Sequence, residues 1–104
     1  GKNDYTLALQ QYNLASALLP DRTEPYYYSG EAYFAQGKLE EAAELYEQTI
    51  NINDKYILAY ISLGNLYISK NDCKSATPYY QEALKINPSN QEAKQNLSNC
   101  LLNP

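Results

Sequence analysis

The sequence predicts an all-α fold in which antiparallel helix pairs stack in a row, as in an α-solenoid. A repeat is the first observation behind this prediction, because one constant offset, the repeat length, superposes Ala8 on Ala42 and Ala42 on Ala76. The second is the spacing inside each copy, where recurring residues lie four and then three positions apart, the period of one helix face. The third is the placement of helix-breaking residues between these segments. Each copy is therefore predicted to form two helices.

Six helices are predicted, and the breaks between them fall where the repeat requires them. Gly37 and Asn71 stand between the two helices of a pair, whereas Pro20, Asp54 and Pro88 stand between one pair and the next. Glycine and asparagine are typical residues just after a helix, and proline cannot continue one. The predicted helices cover residues 4–18, 23–36, 39–52, 56–70, 73–86 and 90–102.

Two helix starts show the spacing of a capping box. Asp21 lies three residues before Glu24, and Ser89 lies three residues before Glu92. We expect Asp21 and Ser89 to cap the second and sixth helices. Pro78 is a local conflict, because it falls inside the fifth helix, where proline is tolerated only within about the first turn.

Two glycines fall in the middle of predicted helices. Gly30 and Gly64 each cost about 0.5 to 1 kcal/mol there relative to alanine, so another interaction must compensate. We predict that a neighbouring helix approaches closely at each glycine. The ring of Tyr12, Tyr46 or Tyr80 would then fill the space that a side chain would otherwise take.

The residues in the repeating columns resemble the signature of the tetratricopeptide repeat family. The signature positions are Ala8, Tyr12, Tyr26, Gly30, Tyr33, Ala42, Tyr46, Tyr60, Leu63, Gly64, Tyr67, Ala76, Tyr80, Ala83 and Pro88. Two full repeats, at about 23–56 and 57–90, stand between two half repeats. The first full repeat departs from the signature at Ser29, Thr49 and Asp54. The resemblance implies a right-handed superhelix of antiparallel helix pairs.

The resemblance also implies that the first helix of each pair lines a concave groove that binds a segment of another protein. The implied groove positions are Glu24, Tyr27, Tyr28, Glu31, Phe34, Leu58, Ile61, Ser62, Asn65 and Ile68. We expect the larger apolar members, Tyr27, Phe34, Ile61 and Ile68, to form an exposed patch of the kind that marks interaction sites. The alternative is that some of them pack on the neighbouring pair.

The expected partner is a peptide or protein segment with apolar anchors. Relatives that hold the acidic C-termini of heat-shock chaperones use a clamp of lysine, arginine and asparagine on this face. Of such a clamp this sequence keeps only the amides Asn65 and Asn96. The columns that need lysine hold Tyr27, Leu58 and Glu92. A heat-shock chaperone C-terminus is therefore not the expected partner.

Composition excludes several other functions. Eight basic against 12 acidic residues give a net charge of -4, which provides no electrostatic attraction to nucleic acid. No apolar run approaches the roughly 20 residues that a membrane-spanning helix needs. The chain has no histidine and no glycine-rich phosphate loop, so we expect no enzyme activity, no catalytic residue, no metal and no cofactor. A non-catalytic arm of a larger enzyme or of a secretion or assembly complex is the alternative function.

The cysteines and the chain ends leave alternatives open. Cys73 and Cys100 are expected to be buried free thiols, although an antiparallel fifth and sixth helix would bring them close enough for a disulfide. Residues 1–104 are expected to form one repeat domain, a fragment of a longer protein. Because the first helix is half of a repeat, its face at Leu9, Tyr12 and Leu14 could also support self-association. The compartment is not readable, with the cytoplasm as the default expectation.

Overall fold

The computed structural model describes residues 2–18 and 22–102, and these residues form six α-helices and no strand. The helices are α1 (Lys2–Leu18), α2 (Thr23–Ala35), α3 (Leu39–Ile52), α4 (Ile57–Ser69), α5 (Cys73–Ile86) and α6 (Gln91–Leu102). Every helix end lies within two residues of its predicted position, which confirms the all-α fold. The predicted break at Pro20 and the predicted cap at Asp21 fall outside the described residues.

The chain divides into two compact units, residues 1–54 and residues 55–104. In the first unit α2 packs against both α1 and α3, and in the second unit α5 packs against both α4 and α6. Each unit therefore holds one complete helix pair, α2 with α3 or α4 with α5, together with one further helix.

The two helices of each pair are joined by the same tight turn. Gly37 has a φ of 79° and Asn71 a φ of 59°, so both adopt the left-handed conformation that commonly ends a helix. The N–H of Lys38 donates to the carbonyl of Tyr33 at 2.9 Å, and the N–H of Gly37 donates to that of Phe34 at 2.9 Å. The same two bonds recur one repeat length further along the chain. The breaks predicted at Gly37 and Asn71 are thus confirmed.

The structure confirms a notch at Gly30 and at Gly64, a gap in the helix surface that a tyrosine ring of the neighbouring helix fills. A Cβ atom placed on Gly30 would lie 2.7 Å from Cε1 of Tyr46, and one placed on Gly64 would lie 2.5 Å from Cε1 of Tyr80. Both tyrosines are fully buried. Any side chain at either glycine would overlap the ring, so the glycines allow the close packing of α2 on α3 and of α4 on α5. Tyr12 differs, since it is half-buried and its ring stacks on Tyr28.

The start of α6 differs from the prediction. The side chain of Asn90, rather than that of Ser89, accepts a hydrogen bond from the N–H of Ala93 at 2.9 Å. Ser89 lies in the preceding turn, where its N–H and its hydroxyl both donate to the side chain of Asn87. Asparagine caps a helix as well as serine does, so the residue nearer to the helix takes the position. The predicted capping box of Ser89 with Glu92 is therefore wrong.

The fifth helix begins with a capped turn and continues through a proline. The carboxylate of Asp72 accepts from the N–H of Ser75 at 3.1 Å, and its hydrogen bonding to Ser75 lowers the pKa of Asp72. Pro78 is the sixth residue of α5, one turn deeper than we expected proline to be tolerated. It has no N–H to donate to the carbonyl of Lys74, but both residues are exposed, so water can serve that carbonyl.

A disulfide joins Cys73, the first residue of α5, to Cys100 near the end of α6. Their Cα atoms lie 5.3 Å apart, within the usual range for a disulfide. The expectation of two free thiols is therefore wrong. The pairing arises because the start of α5 and the end of α6 lie side by side.

We predict that Gly64→Ala destabilises the protein. Overpacking against the buried ring of Tyr80 costs about 1 to 3 kcal/mol, and the better helix propensity of alanine offsets about 0.5 to 1 of this. Gly30→Ala should cost less, because its added Cβ would lie farther from the ring of Tyr46. Urea unfolding followed by circular dichroism measures both changes. A stability gain in Gly64→Ala would contradict the notch.

We predict that reducing the disulfide lowers the free energy of unfolding. Cys73 and Cys100 lie 27 residues apart, and a loop of that length corresponds to a stabilisation on the order of 3 kcal/mol. Urea unfolding with and without a dithiol reductant measures the change. The control is the double variant Cys73→Ser with Cys100→Ser, whose unfolding should not respond to the reductant. Two titratable thiols in the unreduced, denatured wild-type chain would contradict the disulfide.

Candidate functional site

The predicted groove residues of the first unit lie along α2 with unequal exposure. Glu24 is exposed, Tyr28 is 44% exposed, and Glu31 and Phe34 are half-buried. Tyr27 is only 7% exposed, so the expectation that it would be an exposed anchor is wrong. The physical reason is aromatic packing, because the ring of Tyr27 lies edge-on to Tyr28 at 5.2 Å and beside Tyr46 at 5.9 Å.

A cavity of about 260 Å³ opens between α1 and α2. The ring of Tyr12 from α1 and the ring of Tyr28 from α2 stack here, with centroids 5.8 Å apart and planes 26° from parallel. The cavity is lined by Ala8, Tyr12, Tyr28, Glu31 and Ala32. The first unit thus places two aromatic rings and a carboxylate around one small space.

The carboxylate of Glu31 is oriented by a hydrogen bond from α3. The hydroxyl of Tyr46 donates a hydrogen bond to Oε1 of Glu31. Because Tyr46 is fully buried in the glycine notch, its hydroxyl has little freedom to move. The packing of the helix pair therefore orients a charged group on the predicted binding face.

The predicted groove residues of the second unit lie along α4. Leu58 is 46% exposed and Ile68 is 37% exposed, while Asn65 between them is half-buried. Ile61 and Ser62 are only 4% and 7% exposed. The predicted exposure of Ile61 is therefore wrong, and Leu58 and Ile68 are the large apolar groups that α4 leaves open to solvent.

Asn65 is the centre of a hydrogen-bond network. Its Oδ1 accepts from the hydroxyl of Tyr80 at 2.6 Å and from Nδ2 of Asn96 at 3.0 Å. Its Nδ2 donates to Oε2 of Glu92 at 3.0 Å. These bonds fix the amide plane of Asn65 beside a cavity of about 180 Å³. That cavity is lined by Asn65, Ile68, Tyr80, Asn96 and Asn99.

The two networks are related by the repeat. Tyr46 precedes Tyr80 by one repeat length, and Glu31 precedes Asn65 by the same offset. In each pair the tyrosine that fills the glycine notch thus donates its hydroxyl to the polar residue at the same position of the first helix. The repeat pattern predicted a packing role alone for these tyrosines. The shared offset was the signal for their second role.

Burial and a neighbouring charge alter the acidity of Tyr80. Burial, assisted by the charge of Glu92 and opposed by the hydrogen bond with Asn96, raises the pKa of Tyr80 from 10.0 to about 12. The hydroxyl therefore stays protonated, as a donor to Asn65, to a higher pH than an ordinary tyrosine hydroxyl does.

Neither of these two cavities is lined by lysine or arginine, whereas Lys55 lines a further cavity of about 230 Å³ together with Leu58 at the start of α4. The cavity of the first unit has a carboxylate in its wall, and Asn65 in the second unit donates a hydrogen bond to the carboxylate of Glu92.

Among the described helices, none has the length and apolar character needed to cross a bilayer.

The outer side of α1 carries exposed leucines. Leu7, Leu14 and Leu18 are 56%, 61% and 70% exposed and recur at a spacing that places them on one stripe. Leu9, which sequence analysis placed on the open face, is instead buried at 9% exposure.

Comparison with known proteins supports one family. A family model described as the tetratricopeptide repeat matches residues 21–89. Human tetratricopeptide repeat protein 6 is 34% identical over 68 residues, which is 64% of this chain and 13% of that protein. The UDP-N-acetylglucosamine–peptide N-acetylglucosaminyltransferase of Giardia intestinalis is 25% identical over 92 residues, which is 88% of this chain and 6% of the enzyme. The chain thus spans only a small part of these relatives.

The fold also matches a solved structure. The first tetratricopeptide domain of Spaghetti, bound to the HSP90 peptide SRMEEVD, superposes with a TM-score of 0.89 at 22% identity. The match covers 96% of this chain and 79% of that one. At this identity the match shows the fold alone.

We predict that Tyr80→Phe changes stability in a pH-dependent way. At neutral pH the lost hydrogen bond to Asn65 should cost about 1 kcal/mol. Since the folded pKa of Tyr80 is about 12 and the ordinary value is 10.0, the wild type loses stability as the pH rises from 10 to 12. The variant has no hydroxyl at this position, so its stability should fall less over the same range. Urea unfolding at pH 7, 10 and 11 tests this, and parallel losses in both proteins would contradict the raised pKa.

Proposed function

Because this chain belongs to the tetratricopeptide repeat family of protein-interaction modules, we propose that it binds a peptide segment of a partner protein on the exposed face of α4, and that the exposed face of α2 is a binding surface of the first unit. The observation that carries the proposal is the arrangement on α4. Leu58 and Ile68 are exposed apolar groups, and Asn65 between them is fixed by hydrogen bonds. Apolar anchors supply affinity, and an oriented amide supplies direction for a peptide backbone.

The character of the surface favours a partner other than an acidic chaperone tail. The Spaghetti domain binds an acidic HSP90 peptide. In this chain the repeat positions at which a chaperone-binding clamp needs lysine hold Tyr27, Leu58 and Glu92. The cavity of the first unit also has Glu31 in its wall. At this cavity a carboxylate-rich peptide would meet like charge, and no lysine or arginine lines the wall to receive it.

A second candidate function is that of a non-catalytic arm that recruits substrates for a larger enzyme. Similarity to the Giardia N-acetylglucosaminyltransferase favours it, because the chain matches only 6% of that enzyme. In both functions the described residues act by binding alone. The second function differs from the first in requiring a catalytic domain in the same protein.

Two further properties are proposals. The disulfide favours an oxidising compartment over the default cytoplasm, since disulfides are rare in the reducing cytosol. Self-association through the leucine stripe of α1 is supported by the exposure of Leu7, Leu14 and Leu18.

We predict that Leu58→Ala combined with Ile68→Ala weakens peptide binding. The probes are peptides selected from a random phage-displayed dodecapeptide library on the wild-type chain, measured by fluorescence polarisation. Loss of two apolar anchors should raise the dissociation constant on the order of tenfold or more. Both residues are exposed, so circular dichroism should show an intact fold.

The matched control is Leu101→Ala combined with Leu102→Ala. These leucines are 67% and 77% exposed and lie outside the α4 stripe and the α1 stripe, so peptide affinity should stay within about twofold. Unchanged affinity in the α4 variant, or a larger loss in the control, would remove the α4 face from consideration.

A further inference from the structure

We propose that the cavity between α1 and α2 receives a cationic side chain, an arginine or a lysine, of the partner segment. The inference deepens the proposed function, on which it rests in taking the cation to come from a bound peptide. The volume of about 260 Å³ lies below the roughly 300 to 1,000 Å³ of sites for small-molecule ligands. A space of this size suits a single side chain rather than a whole ligand.

The walls of the cavity have the chemistry that binds cations. Tyr12 and Tyr28 line the cavity and stack on each other, and the ring faces that the stack leaves uncovered attract a positive charge. Glu31 adds a carboxylate to the same wall. Ala8 and Ala32 are small and apolar, which leaves room for the methylene stem of arginine or lysine.

The carboxylate is oriented before any ligand arrives. The fully buried Tyr46 donates its hydroxyl to Oε1 of Glu31, so the group loses little freedom when a cation binds. A guanidinium can fork onto a carboxylate while its plane stacks on a tyrosine ring, so arginine should bind more tightly than lysine.

Charge around the cavity favours the same occupant. The whole chain carries a net charge of -4, and Glu24 is exposed on the same helix as Glu31. The described side chains of α1 and α2 include no lysine or arginine that would repel an incoming cation. An acidic side chain would meet the carboxylate of Glu31 at close range, where the two like charges repel each other.

The cavity is particular to the first unit. At the equivalent positions of the next repeat, Ser62 replaces Tyr28 and Asn65 replaces Glu31. The second unit therefore keeps the tyrosine hydroxyl and the polar acceptor but has neither this ring nor this charge. Glu31 and Tyr28 are thus specificity-determining residues, which distinguish one helix pair from the other.

The first experiment tests the cavity without any peptide. n-Butylguanidinium chloride is titrated into the full chain, and the NMR resonances of the Tyr12 and Tyr28 rings are followed. We expect saturable shifts with a dissociation constant on the order of millimolar. n-Butylurea has nearly the same shape without the charge and should bind at least about tenfold more weakly.

Two variants make the test specific. Glu31→Gln keeps an acceptor for Tyr46 but removes the charge, so butylguanidinium affinity should fall about tenfold or more. Glu44→Gln makes the same change in net charge at an exposed position of α3, outside the groove positions, and should change affinity by less than about twofold. Equal binding of butylguanidinium and butylurea, or unchanged binding in Glu31→Gln, would overturn the cation site.

The second experiment separates this inference from the proposed function. The library-selected peptides are compared with variants in which each arginine or lysine is replaced by glutamine. If replacing a basic residue of the peptide weakens its binding to the wild-type chain but not to Glu31→Gln, the cation site is supported as a subsite for the peptide. If the selected peptides require Leu58 and Ile68 but no basic residue, the cation subsite is overturned and the proposed peptide-binding face remains supported. If butylguanidinium binds but the library yields no peptide, the cation site remains supported and the proposed peptide-binding function is overturned.

Discussion

The structure depends on a tyrosine ring that packs against a glycine. Tyr46 lies on Gly30 and Tyr80 lies on Gly64, and in each case a Cβ atom on the glycine would overlap the ring. This contact sets how closely the two helices of a pair approach. It also offsets the cost of glycine in a helix, because the buried ring gains contacts that only a missing side chain permits. The fully buried alanines of α3 and α5 extend the same close packing along the pair.

The same contact links packing to binding. A ring that fills the notch directs its hydroxyl toward the first helix of the pair, where it meets Glu31 or Asn65. A polar group on the proposed binding face is thereby oriented by the core. A change at Gly30 or Gly64 should therefore disturb that face even though both glycines are buried. In this chain the packing stays the same in both helix pairs while the residue at this one position, Glu31 or Asn65, changes the chemistry of the surface.

The two units illustrate that separation. The first has Glu31 beside the stacked rings of Tyr12 and Tyr28, and the second has Asn65 among the side chains of Asn96 and Glu92. One surface is anionic and aromatic, and the other is an amide network flanked by exposed Leu58 and Ile68. α6 contributes the network's outer members and is tied to α5 by the disulfide. A cross-link at one end of α6 thus helps to hold the polar groups that orient Asn65.

The sequence by itself determined the helices, the turns at Gly37 and Asn71, the notches and the family. It could do so because each of these patterns occurs in more than one copy of the repeat. It also indicated the faces of α2 and α4. Only the tertiary structure decided which residues on those faces are exposed. Tyr27 and Ile61 proved buried, while Tyr28, Leu58 and Ile68 stayed open, since burial depends on neighbouring rings and helices that periodicity does not specify. The Cys73–Cys100 disulfide, the cap at Asn90 and the stacking of Tyr12 on Tyr28 were decided in the same way. Each depends on a distance between side chains within a few ångströms, and helical spacing along the chain does not determine such distances.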